Sequence, residues 1–147
     1  MQPTAPTPAH IQAQGWRERT LPGFIVHVGP LWTRKESDGW AYGLQVGPQH
    51  LNPAQMVHGG LLMTLLDHAL SAIAWEAMNR RPCVTVQMDT QFLSAAREGQ
   101  FLEARGQVVR AAGSLVFMRG QIDADGSTLI AGSAVLKALG DAARPDP

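Results

Sequence analysis

Hydrophobic positions change their period along this chain. From Leu61 to Trp75 apolar residues fall on every side of a helical repeat, and from Val84 onwards they alternate with polar ones. The first pattern predicts a helix over 60–79, opened by Gly59 and Gly60 and stopped ahead of Pro82 by Asn79, Arg80 and Arg81. A helix with no polar side is expected to be enclosed by the rest of the protein. Along its first four turns only Asp67 and His68 are ionisable. The second pattern predicts a half-buried strand over 84–92, with Val84, Val86, Met88, Thr90 and Phe92 on one face and Thr85, Gln87, Asp89 and Gln91 on the other.

Three more strands are expected at 101–110, 114–122 and 128–139, joined by the turn-forming stretches RAAGS and DADGS. Upstream, Phe24–Trp32 reads as a first strand, Gly39–Gly47 as a second after the ESDG turn, and His10–Thr20 as a short helix. Residues 1–9, rich in Pro and Thr, and 140–147 read as loose ends of a single domain spanning 1–147. Strands, one long buried helix and then a four-strand antiparallel meander predict an α+β fold in which a curved antiparallel sheet wraps a central helix, the hotdog architecture. Open sheet edges in so small a domain are sticky, so edge-to-edge pairing of two copies is expected.

Composition narrows the function classes. At 147 residues, 45% hydrophobic and 16% charged, the chain is globular, and its low charge content is consistent with surface hidden in an oligomer. Twelve basic residues balance twelve acidic ones, which argues against a nucleic-acid binder. A single cysteine, Cys83, excludes an internal disulfide and a Cys-rich metal site and suits a reducing compartment. With no basic-then-apolar leader at the N-terminus, a cytoplasmic location is expected. The longest apolar stretch is too short and too interrupted to span a membrane comfortably. His10, His27, His50, His58 and His68 form no recognisable ligand set, and no metal or cofactor is expected.

The candidate chemistry lies in NPAQMVHGGLLMTLLD, residues 52–67. A helix start presents N–H groups without intrahelical partners and the positive end of the helix dipole, and glycines there let a ligand approach closely. A substrate carbonyl set against the Gly59 N–H would be polarised, and the oxyanion formed on attack stabilised further. The Asn52 amide is placed to donate a second hydrogen bond or to hold an attacking water. Asp67 is the one general base or nucleophile of the segment. Bland readings stand beside these: His58 as a cap, Asn52-Pro53 as a turn, and Asp67 as a carboxylate satisfied by His68 or by backbone.

Read together, Asn52, His58, Gly59, Gly60 and Asp67 form N-x5-H-G-G-x6-D, which resembles the signature of PaaI-type hotdog acyl-CoA thioesterases. The strand VTVQMDTQFLSAA and the closing GQVVRAAGSLVF and LIAGSAVL stretches resemble the same family, so the likeness covers about residues 40–138. It implies an acyl-CoA substrate and a homo-oligomer, a dimer with shared active sites and by extension a tetramer. It implies a catalytic set of Asp67, Asn52, Gly59, His58 and Thr85, with Gly59 and Asn52 as oxyanion donors, Asp67 as the acid and Thr85 as the hydroxyl that orients water, and it implies Gly60 as a substrate-binding residue. Where many members carry an Arg-Pro pair, this chain has Ser94, Ala95 and Ala96 followed by Arg97, the candidate for a CoA phosphate. Eight residues of helix put Gly59 and Asp67 about 12 Å apart, too far to serve one carbon from one chain. In the resembled family the acid comes from the partner subunit. The alternatives are a hotdog hydratase or dehydratase, which leans on His, and a non-catalytic acyl-CoA binding module.

Overall fold

Two hairpin turns organise the second half of the chain. Asp125 and Gly126 both have positive φ, 49° and 79°, as a two-residue type I′ connection requires, and Gly113 takes φ 60° in the other turn. They join β5 (Phe101–Ala112), β6 (Leu115–Ala124) and β7 (Ser127–Ala138) into an antiparallel meander. The structure, a computed structural model, describes residues 4–140. Before the meander come α1 (Pro8–Ala13), β1 (Arg17–Arg19), α2 (Ile25–Val28), β2 (Leu31–Glu36), β3 (Gly39–Gln45), α3 (Gly59–Ala77) and β4 (Cys83–Phe92).

All strands belong to one seven-stranded antiparallel sheet ordered β1-β2-β3-β5-β6-β7-β4. It curls around α3, whose buried Leu61, Leu62, Leu65, Leu66, Ala69, Leu70 and Ala74 meet Leu44, Leu102, Met118, Ile122, Ile130 and Leu136 of the strands. Each such leucine, fully buried, contributes roughly 1.5–3 kcal/mol. Close approach of helix to sheet depends on Gly106 and Gly120, which face each other across β5 and β6. A Cβ on either would stand 2.4 or 2.8 Å from Cδ2 of Leu70. The α+β hotdog expectation is therefore met, with one long helix inside a curved sheet.

Several local expectations are corrected. The strand after α3 does not lead a four-strand meander: β4 crosses to the far edge and pairs with β7 rather than β5. It is also not half-buried in the chain, since Val84, Val86 and Phe92 are all well exposed. Its simple alternation fails because Val86 is an extra residue between the paired Thr85 and Gln87. The bulge resets the phase, so Thr85, opposite Leu136, and Met88, opposite Ala134, share the helix side of the sheet.

Phe24–Val28 is not a strand but a helical turn, bounded by Gly23 and by the Gly29-Pro30 pair, and β2 begins only at Leu31. The helix foreseen at 10–20 is shorter and earlier, and Arg17–Arg19 pairs with β2. Residues 4–9 are not a loose end. Thr7 caps α1, and Ile11 and Trp16 pack with Trp32, Ala41 and Phe101 as a second, smaller core. Residues 1–3 and 141–147 lie outside the described residues, among which no helix is long and apolar enough to cross a membrane. Finally, α3 is not enclosed on all sides: Gly60, Thr64, Asp67, Ser71 and Trp75, three or four residues apart, form a stripe that stays partly or fully exposed beside β4.

Candidate active site

The loop entering α3 is built from its own polar groups. Oδ1 of Asn52 accepts from the N–H groups of Ala54 (2.9 Å) and Met56 (3.2 Å), which fixes a turn and leaves the NH2 half of the amide as the donating end. The Val57 N–H donates to the carbonyl of Ala96, and the His58 N–H to the carbonyl of His50, at 2.9 and 2.8 Å. His50 is buried, its Nδ1 accepting from the Gly47 N–H and its Nε2 donating to the Val28 carbonyl. Sequence reading missed this anchor, whose only sign was a histidine two residues before Asn52.

His58 is the N-cap of α3, and its Nδ1 accepts from the Gly60 N–H at 2.9 Å. Its carbonyl takes the N–H groups of Leu61 and Leu62. Of the N–H groups that a helix start leaves free, the one on Gly59 has no acceptor among the described residues. The cap thus occupies the Gly60 amide and leaves Gly59 as the open donor, pointing a positive dipole end outward. The capping alternative for His58 is what the geometry realises, and Gly60 contributes space rather than a free N–H.

Further along α3, Oδ1 of Asp67 accepts from Oγ1 of Thr85 at 2.5 Å. That contact exists because of the bulge at Val86, which turns Thr85 toward the helix. Among the described residues neither His68 nor a backbone group hydrogen-bonds the carboxylate. His68 instead sits edge-on to Tyr42, ring centres 5.9 Å apart, and burial lowers its proton affinity below the ordinary value despite the opposing pull of Asp67. Arg97 follows Ala96, so it lies beside the loop before α3. Its N–H donates to Gln100, and its guanidinium has no hydrogen-bond partner among the described residues.

Gly59 and Asp67 lie on one unbroken helix, eight residues or about 12 Å apart along its axis. They touch opposite ends of β4. Asp67 is bonded to Thr85 near its start, while the ring of Phe92 at its end stands against Gly59, 3.1 Å from where a Cβ would be. Nothing in the local pattern marked Phe92 as a neighbour of the glycine. A surface depression of about 1230 Å³ opens among Asp89, Arg105, Arg119 and Gln121, and Asn52, Gly59, Asp67 and Thr85 take no part in its lining.

A sequence profile of the thioesterase superfamily matches residues 54–131, more than half of the chain and including Gly59, Asp67 and Thr85. The chain belongs to the thioesterase superfamily. A Pseudomonas aeruginosa protein named "Putative esterase PA0474" is 30% identical over 106 residues, covering 71% of this chain and 78% of that protein. Among solved structures, the hypothetical thioesterase protein with coenzyme A from Streptococcus pneumoniae TIGR4 aligns with TM-score 0.68 and 21% identity, over 86% of this chain and 99% of that one. The PaaI protein of the phenylacetic acid degradation operon of E. coli aligns with TM-score 0.65 and 19% identity, over 91% and 86%. At these identities the structures speak for the fold, which this superfamily member shares with PaaI.

Proposed function

We propose that the protein is an acyl-CoA thioesterase whose active site forms between two copies of the chain. The observation that carries this reading is the pair of contacts on β4: Gly59 lies at its Phe92 end and Asp67 at its Thr85 end. β4 is an edge strand with no partner on its outer side among the described residues, and its Val84 and Val86 are exposed. Antiparallel pairing of β4 with a second β4 would lay the start of each strand beside the end of the other. That exchange brings the free Gly59 N–H of one chain toward Asp67 of its partner, which neither chain achieves alone. The unburied stripe on α3 lies on the same side and supports the same arrangement.

In this site the thioester oxygen accepts from Gly59 N–H, with the Asn52 NH2 as second donor or as the group that holds the attacking water. Thr85 donates to Asp67 and so fixes the carboxylate. Asp67 takes a proton from the water as its oxygen bonds to the carbonyl carbon, giving a tetrahedral oxyanion. The C–S bond then breaks with its electron pair on sulfur, and the proton passes to the thiolate, releasing the acid and CoA. Direct attack by the carboxylate, followed by hydrolysis of the anhydride, uses the same placement. His58 acts by holding the helix start. To Arg97, exposed next to this loop, we assign a CoA phosphate.

CoA as the thiol half is supported by the coenzyme A in the Streptococcus pneumoniae thioesterase of like fold. We assign an aromatic or short-to-medium acyl group, a dimer that assembles further into a tetramer, and work in a reducing cytoplasm that suits a chain with one cysteine. The test is thiol release from a panel of aromatic, short, medium and long acyl-CoAs, read with a thiol-detecting dye. Turnover on at least one class is expected. Tight binding without release would mark a binding module instead, and water addition to an enoyl-CoA without thiol release would mark a hydratase.

A further inference from the structure

Gly59 has no side chain, and the space beside it is taken by another residue. Cε1 and Cζ of Phe92 stand 3.1 and 3.3 Å from an ideal Cβ position on Gly59. Phe92 ends β4 opposite the fully buried Ile130, so its ring is on the helix side of the sheet, yet 53% of the residue is exposed. Leu93, which follows, is 55% exposed. Both are held in place by the end of the strand, through the Leu93 N–H on the Leu129 carbonyl and Oγ of Ser94 on the Thr128 carbonyl. Fixed by backbone at the strand end, the ring stands beside Gly59, whose N–H is the open donor at the start of α3 among the described residues.

The geometry points to Phe92 as a specificity-determining residue that selects against acyl groups branched next to the carbonyl. The inference rests on the proposed use of the Gly59 N–H. A carbonyl oxygen bonded to that N–H lies roughly 2.9 Å from the nitrogen, which brings its carbon substituents alongside the ring. The apolar ring suits the acyl group better than the polar pantetheine arm. A straight or flat chain can run along the ring face. A second methyl on the α-carbon needs volume that the ring already fills, and crowding of this kind is resisted in packed sites.

The experiment compares kcat/KM for substrate pairs that differ by α-branching: butyryl-CoA with isobutyryl-CoA, and phenylacetyl-CoA with 2-phenylpropionyl-CoA. Wild type should prefer the unbranched member. Phe92→Ala should shift that preference toward the branched member by about tenfold, the usual worth of one methylene in a pocket, and Phe92→Leu by less. Leucine keeps bulk at the strand end, so the series stays readable if the alanine variant melts early. An unchanged ratio, or equal losses on both members of a pair, would overturn the inference while leaving an active wild type to uphold the thioesterase reading. A wild type that releases thiol from no acyl-CoA would overturn both.

Discussion

The two ends of β4 carry different kinds of chemical group. At the Phe92 end the group is backbone: a single N–H on Gly59, left open because His58 caps the Gly60 N–H and carries Leu61 and Leu62 on its carbonyl. At the Thr85 end the group is a side chain, a carboxylate fixed by one hydroxyl. A backbone donor is set by the fold and is immune to most substitutions, whereas a side-chain acid can be deleted cleanly. In the proposed site each end supplies one half, and a single unbroken helix keeps the halves apart in any one chain. Deleting each half in turn, then loosening it, separates their contributions.

The largest effect should come from the acid. Asp67→Ala should lower kcat at least about a hundredfold, within the range of general acid–base contributions, with an unchanged thermal melt; near-normal turnover would remove the acid from the mechanism. At the other end, Gly59→Pro deletes the N–H at the first helical position, where proline is tolerated and breaks no intrahelical bond. Loss of one oxyanion donor predicts roughly a hundred- to thousandfold drop in kcat. Gly59→Ala keeps the N–H and only pushes the Phe92 ring aside, so it should lose less than about tenfold. Equal losses in the two variants would mean that shape matters there and not the donor.

Smaller effects follow from the supports. Thr85→Val removes the hydroxyl on Asp67 while keeping shape, and a hydrogen bond to a charged group, about 1.5–3 kcal/mol, predicts a roughly ten- to hundredfold fall in kcat. Glu36 lies outside the site and should touch stability alone. Hydrogen bonds from Arg105 first and Arg34 next outweigh burial and bring its carboxyl from 4.5 down to about 2. A lowered folded-state value means stability that is present above pH 4.5 and is lost as pH falls through about 2. Urea melts between those limits should therefore show a flatter pH dependence for Glu36→Gln than for wild type, with activity on acyl-CoA at neutral pH unmoved.

Much of this comparison was legible in the residue order, and the gaps have physical causes. The Leu, Met and Ala run between Gly59 and Pro82 marks α3 because local propensity and stop residues agree. DADGS and RAAGS mark the hairpins because their positive-φ positions carry Asp and Gly. By contrast, Arg17–Arg19 has no strand pattern and becomes β1 only by pairing with β2. Phe24–Val28 has strand-like residues, but the glycines around it leave room for a single helical turn. Thr85 was placed on the wrong face because a bulge is a property of pairing between two strands and not of either sequence alone. For the site, Asn52, Gly59 and Asp67 stood out by spacing. The occupied amide of Gly60, the buried clasp of His50 and the ring against Gly59 all depend on contacts that only the folded chain makes.

The central claim is that the donor of one chain serves the acid of the other, and mixing two dead variants tests it most directly. Asp67→Ala and Gly59→Pro chains, co-expressed in equal amounts and purified together, would pair at random, so half of the dimers would be mixed. A mixed dimer holds one site with both defects and one with none, which predicts recovery to about a quarter of wild-type turnover for a two-fold dimer. If donor and acid instead act within one chain, every site in the mixture carries a defect and turnover stays at the level of the separate variants, which would contradict the account.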